Sequence, residues 1–141
     1  MDPDPSKVRI LVVDDQPDTL RLFETYLSMA GFQVTATTSA ADALRLAANG
    51  FEAISTDLAM PGMDGVEFIR RMREVRTERP IPIVAVTGQG SAATRELGDV
   101  GACRLLEKPC DLNELSQTLT DLSETCPHEC TGCSRRRHPG R

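Results

Sequence analysis

Asp14, Asp15, Asp57, Thr87 and Lys108 are the residues of this chain that could do chemistry together. Each stands at or just past the end of a short strand-like run, so a fold that aligned those runs would gather all five. Three carboxylates in one pocket repel each other unless a cation joins them. Oxygen donors alone, with room for water and phosphate, suit Mg²⁺ (or Mn²⁺) far better than zinc. A carboxylate beside such a cation can attack phosphorus and form an acyl phosphate, a known form of covalent catalysis by Asp. Lys108 would bring a point charge to a phosphate oxygen and Thr87 a hydroxyl donor. Taken singly, each residue has an ordinary explanation: an aspartate capping the next helix, a threonine ending a strand, a solvated lysine before a turn. Those explanations do not account for all five in register.

The elements that must position them alternate along the chain. Arg9–Val13 is a β-branched run, read as a strand buried on both faces. Pro17 suits the first turn of a helix through about Ala30, with Leu20, Phe23, Leu27 and Ala30 on one face, and Gly31 stops it. Gln33–Thr37 is a second strand. Ser39 with Asp42 caps a second helix carrying Ala43, Leu44, Leu46 and Ala47, closed by Asn49 and Gly50. Ala53–Thr56 is a third strand leading into Asp57. Asp64 and Glu67 form a capping box for a helix to about Val75. Ile81–Val86 is a fourth strand, a short helix is expected over about 91–99, and residues 101–106 hold a fifth strand. Asp111 and Glu114 open a last helix with Leu115, Leu119 and Leu122 inward. Five such units predict an α/β fold: a doubly wound, five-stranded parallel sheet with helices on both faces. In such sheets ligands bind outside the carboxyl ends of the strands, where the order reverses. With strand order 2-1-3-4-5, as in flavodoxin-like folds, the first and third strands are neighbours and the three carboxylates converge.

Charge narrows the partners. Residues 1–125 carry 12 basic against 20 acidic side chains, a net charge of −8, and an acidic body argues against a nucleic-acid partner. No apolar run approaches bilayer length, and the opening residues 1–7 form an acidic, Pro-containing lead rather than a signal peptide. The expectation is a cytoplasmic protein with neither membrane nor nucleic-acid contact. Aromatic residues make up only 4% of the chain, so the core must be built from Val, Leu, Ile, Met and Ala.

Over about residues 7–125 the chain resembles the receiver domains of two-component response regulators. The matching stretches are Val12–Asp15 (VVDD), Asp57–Gly65 (DLAMPGMDG), Val86 with Thr87, Gly101 with Ala102, and Lys108 with Pro109. The resemblance implies that Asp57 accepts a phosphoryl group from the phosphohistidine of a histidine kinase or phosphotransfer protein. It implies that Asp14, Asp15, Asp57 and the backbone carbonyl of Ala59 hold Mg²⁺. It also implies that Thr87 and Lys108 read the phosphoryl group, and that the Lys108–Pro109 bond is cis. The chain departs from the family pattern at three places. Leu105 stands where Phe or Tyr is frequent, Gly88 where alanine commonly follows the switch threonine, and the stretch from Thr87 to Lys108 is about one residue short.

Two rival chemistries fail on named residues. A Mg²⁺-dependent phosphatase working through an aspartyl phosphate commonly needs a second acid two positions after its nucleophile, where this chain has Ala59. An FMN-binding protein would need a Ser/Thr/Gly-rich loop after the first strand, and Asp14, Asp15 and Asp18 would repel phosphate there. Residues 126–141, with a net charge of +3, show neither hydrophobic period nor apolar face. Cys126, Cys130 and Cys133, with His128 and His138, carry the residue types of a zinc site. Structural zinc sites usually pin two segments together, and no folded segment is expected beyond this one, so a disordered, metal-free tail is expected. The division is therefore a lead over 1–7, a receiver over 8–125 and a tail over 126–141. With no effector segment expected, output would pass through contact with a downstream protein whose identity the sequence does not give.

Overall fold

The computed structural model describes residues 7–57, 65–75, 81–87, 101–107 and 111–125. Its strands are β1 (Arg9–Val13), β2 (Gln33–Thr37), β3 (Ala53–Asp57), β4 (Ile83–Thr87) and β5 (Arg104–Glu107). Its helices are α1 (Pro17–Met29), α2 (Ala40–Ala47), α3 (Gly65–Met72) and α4 (Leu112–Thr125). All neighbouring strands are parallel, in the order β2-β1-β3-β4-β5, so the expected doubly wound α/β sheet is the fold observed.

The apolar runs form central strands because both of their faces are covered. In β1, Leu11 and Val13 join Phe68, Ile69 and Met72 of α3 and Ala43 and Ala47 of α2. Ile10 and Val12 point the other way, to Leu20, Phe23 and Leu27 of α1 and Leu115, Leu119 and Leu122 of α4. Side chains alternate across a strand, so one continuous hydrophobic run feeds two cores. Leu119 has no exposed surface, and Leu119→Ala should cost about 2–5 kcal/mol of stability. Urea unfolding checks this, with a lower midpoint and an unchanged slope.

Local chemistry fixes the helix ends. The Ser39 side chain accepts a hydrogen bond from the Asp42 N–H at 3.1 Å, as the capping pattern requires. Asp111 Oδ1 likewise accepts from the N–H groups of Asn113 and Glu114, at 2.8 and 3.4 Å. Gly31 closes α1 with φ of +107°, a conformation a side chain resists. On α3, Glu67 accepts from Arg70 and Arg71 at 2.7 Å each. The hydrogen bond from Arg71, and then the positive charges of both arginines, hold its carboxyl below the ordinary glutamate range.

Four boundaries differ from the sequence reading. β4 begins at Ile83, because Pro82 has no N–H to give the ladder, although its carbonyl accepts from the Ile54 N–H at 2.9 Å. α3 ends at Met72 rather than near Val75; Glu74 and Val75 bond three residues back in a tightened last turn. β5 begins at Arg104, after a turn at Gly101 with φ of +122°, and runs on to Glu107. Ala30, expected on the inner face of α1, is exposed and serves as its C-cap. The helix expected over 91–99, the peptide bond between Lys108 and Pro109, Asp64, Ala59, Gly88 and both terminal segments lie outside the described residues.

Candidate functional site

Five polar residues are buried among the described residues: Asp14, Ser55, Thr56, Asp57 and Thr87. Burying a polar group costs free energy unless it is partnered, so such a concentration marks a site or a network. Asp14, Asp57 and Thr87 stand at the carboxyl ends of β1, β3 and β4, where the direction of strand order reverses between β1 and β3. That is where open α/β sheets bind ligands.

The geometry follows from register. β1 pairs with β3 through Val13 and Thr56, so Asp14 and Asp57 are the next residues on adjacent strands. The Asp14 N–H donates to the Thr37 carbonyl at 3.3 Å, extending the β1–β2 ladder by one residue. Asp14 Oδ1 accepts from the Gln16 N–H at 2.9 Å, which turns the chain toward Pro17 and leaves Asp15 half-buried beside it. The Thr56 hydroxyl donates to the Asp57 carbonyl at 2.9 Å. One carboxylate oxygen from each of Asp14, Asp15 and Asp57 lies within 4.8 Å of the others. Unit charges at that separation repel by roughly 3–4 kcal/mol per pair at the effective dielectric constant of a protein site. The arrangement therefore favours a small, hard cation with oxygen ligands, and Ala59, the fourth expected ligand, lies outside the described residues.

Thr87 is 1% exposed and ends β4 opposite Glu107, the last residue of β5. Lys108 and Pro109 follow Glu107 in sequence but lie outside the described residues. Leu105 pairs with Ala85 and is half-buried against the α2–α3 core. Ala85 and Thr87 are two residues apart, so Thr87 and Leu105 belong to the same face of the sheet. The structure thus brings Asp14, Asp15 and Asp57 together and sets Thr87 on the same sheet edge. The sequence reading missed Thr56, whose hydroxyl bonds the neighbouring carbonyl, because a threonine inside a strand is ordinary in itself.

No helix among the described residues is long and apolar enough to cross a membrane. The family described as "Response regulator receiver domain" matches residues 10–120. The chain is 36% identical over 117 residues to the transcriptional regulatory protein PrrA of Mycobacterium tuberculosis, covering 82% of this chain and 49% of that protein. It is 33% identical over 122 residues to the sensor protein EvgS of Escherichia coli K12, covering 85% of this chain and 10% of that one. It therefore spans about half of one curated relative and a tenth of the other. Among solved structures, the receiver domain of the sensor histidine kinase PA1611 of Pseudomonas aeruginosa aligns with a TM-score of 0.77 and 27% identity, over 84% of this chain and 99% of that one. That receiver has a magnesium ion coordinated in its active site cleft. Vibrio cholerae chemotaxis protein CheY4 aligns with a TM-score of 0.76 and 30% identity, over 82% of this chain and 98% of that one. With the sheet order, the acidic edge and the match over residues 10–120 all in agreement, the chain belongs to the response regulator receiver domain family.

Proposed function

We propose that this chain is a phosphoacceptor switch, with Asp57 the residue that takes the phosphoryl group. The observation that carries this reading is the convergence of the Asp14, Asp15 and Asp57 carboxylate oxygens within 4.8 Å. A carboxylate oxygen of Asp57 attacks phosphorus, the phosphorus–nitrogen bond of a phosphohistidine breaks, and the released imidazole takes up a proton. The donor is a histidine kinase or phosphotransfer protein. Asp14, Asp15, Asp57 and the Ala59 carbonyl are the residues that would hold Mg²⁺ (or Mn²⁺). When bound, that ion offsets the repulsion among the carboxylates and the incoming anion.

The chain's own groups do the rest. Burial of Asp14 fixes the acidic edge, and its bond to the Gln16 N–H holds one oxygen in place. The Thr87 hydroxyl donates to a phosphoryl oxygen, and Lys108, next after the strand end beside Thr87, pairs with another. Thr87, Leu105 and Pro109 form the switch that reports to a downstream protein, with neither nucleic acid nor membrane in contact. This is a signalling module with slow loss of its own phosphate rather than an enzyme with a separate substrate. Its receiver spans 8–125, between a lead at 1–7 and a metal-free tail at 126–141, in the cytoplasm.

Intact-mass spectrometry of the whole chain with acetyl phosphate should show one added phosphoryl group, only when Mg²⁺ or Mn²⁺ is present. Equal labelling in the presence of a chelator, or labelling at several positions, would overturn the reading.

A further inference from the structure

β5 is one of the two edge strands of the sheet, and among the described residues it pairs with β4 alone. It is four residues long, about 13 Å, with Arg104 and Glu107 exposed and with Leu105 and Leu106 each half-buried against one of the two cores. Its entry is gripped by a single side chain, that of Arg73 just past the end of α3. Arg73 Nη2 and Nε both donate to the Gly101 carbonyl, at 2.6 and 3.2 Å, and Nη1 donates to the Ile81 carbonyl at 2.8 Å. Nη2 also lies 3.8 Å from Cys103 Sγ. The planar guanidinium thus ties the chain entering β4 to the chain entering β5. The grip requires glycine at 101 twice over. Its φ is +122°, and a Cβ built there would lie 2.7 Å from Arg73 Nε. The first rung beyond the grip is the Cys103 N–H, which donates to the Ile83 carbonyl at 2.8 Å.

We propose that Arg73 is a positioning residue for Lys108. It touches no reacting atom; it fixes where β5 starts, and with it the register that sets Glu107, the residue before Lys108 in sequence, opposite Thr87. This rests on the reading of Asp57 as phosphoacceptor and of Lys108 as a phosphoryl contact. A lysine carries one ammonium in place of the guanidinium fork, so Arg73→Lys keeps the charge but not the simultaneous grip on both carbonyls.

The test is the initial rate of labelling by acetyl phosphate in Mg²⁺ for wild type, Arg73→Met, Arg73→Lys, Lys108→Met and Arg73→Met/Lys108→Met. Arg73→Met should slow labelling about tenfold, a loss of the size that small misplacements produce. Arg73→Lys should recover part of the rate and serves in its place if Arg73→Met does not fold. In the Lys108→Met background, the change at Arg73 should have no further effect, since residues acting through one group are not additive. Mg²⁺ affinity by calorimetry should stay unchanged throughout the Arg73 series. An equal fold-loss in both backgrounds, an unchanged rate, or a parallel fall in Mg²⁺ affinity would overturn the proposal and leave Arg73 a structural clamp. A wild-type chain that takes no label would instead remove the phosphoacceptor reading, and this proposal with it.

Discussion

Asp57→Asn will take up no phosphoryl group from acetyl phosphate in Mg²⁺, while its metal-free form is more stable than wild type. Both effects come from the same crowding. Asp57 is 5% exposed and Asp14 is 1% exposed, and with Asp15 they place three carboxylate oxygens within 4.8 Å. An amide of the same shape removes the nucleophile and, with it, one member of a mutually repelling set. Sites built for chemistry are commonly less stable than their neutral variants. Asp14→Ala and Asp15→Ala keep the nucleophile but lose a ligand, so Mg²⁺ affinity should fall by at least about tenfold, or 1.4 kcal/mol. The stabilisation that Mg²⁺ gives wild type in thermal melts should shrink in parallel. Full labelling of Asp57→Asn, or a metal-free Asp57→Asn less stable than wild type, would count against the assignment.

Thr87→Ala will accept phosphate yet fail to report it. Thr87 closes β4 on the site edge and shares a sheet face with Leu105, which packs against the α2–α3 core. A hydroxyl drawn toward a phosphoryl oxygen would shift the balance between two arrangements of this face, and an alanine has nothing to draw. Only an interaction that differs between the two states can move their populations. The ratio of partner affinities with and without phosphate should therefore approach one in Thr87→Ala. Leu105 is half-buried and has no polar group to exchange partners, so Leu105→Ala should lose less of that ratio. Where no partner is in hand, amide chemical-shift changes on phosphorylation serve the same comparison. Normal coupling in Thr87→Ala with full loss in Leu105→Ala would reverse the scheme.

Much of this architecture is legible in the sequence because central strands leave a plain record. β1, β3 and β4 are covered on both faces, so β1 and β4 read as short, mainly apolar runs, while β3 is buried throughout but turns polar from Ser55 toward the site edge. Ser39 and Asp111 announce helix starts by chemistry that acts within three residues. β5 is harder to bound. It lies at the sheet edge, its ends are exposed, and Gly101 looks like a strand residue until its positive φ is seen. Arg73 is harder still, since its partners are carbonyls 8 and 28 residues away and carry no side-chain signature. At the site, the acidic residues are readable as a set because register brings Asp14 beside Asp57. The Thr56 hydroxyl donates to a backbone carbonyl and the Gln16 support comes from its backbone N–H, so neither bond has a pair of side chains to announce it.

The most direct measurement is chemical mapping of the modified side chain. Borohydride reduces an aspartyl phosphate to homoserine, which peptide mass spectrometry locates by residue. After treatment with acetyl phosphate and Mg²⁺, homoserine should appear at position 57 and nowhere else. Homoserine at position 14 or 15, or a phosphoryl group that resists borohydride and sits on a hydroxyl or imidazole, would contradict the account.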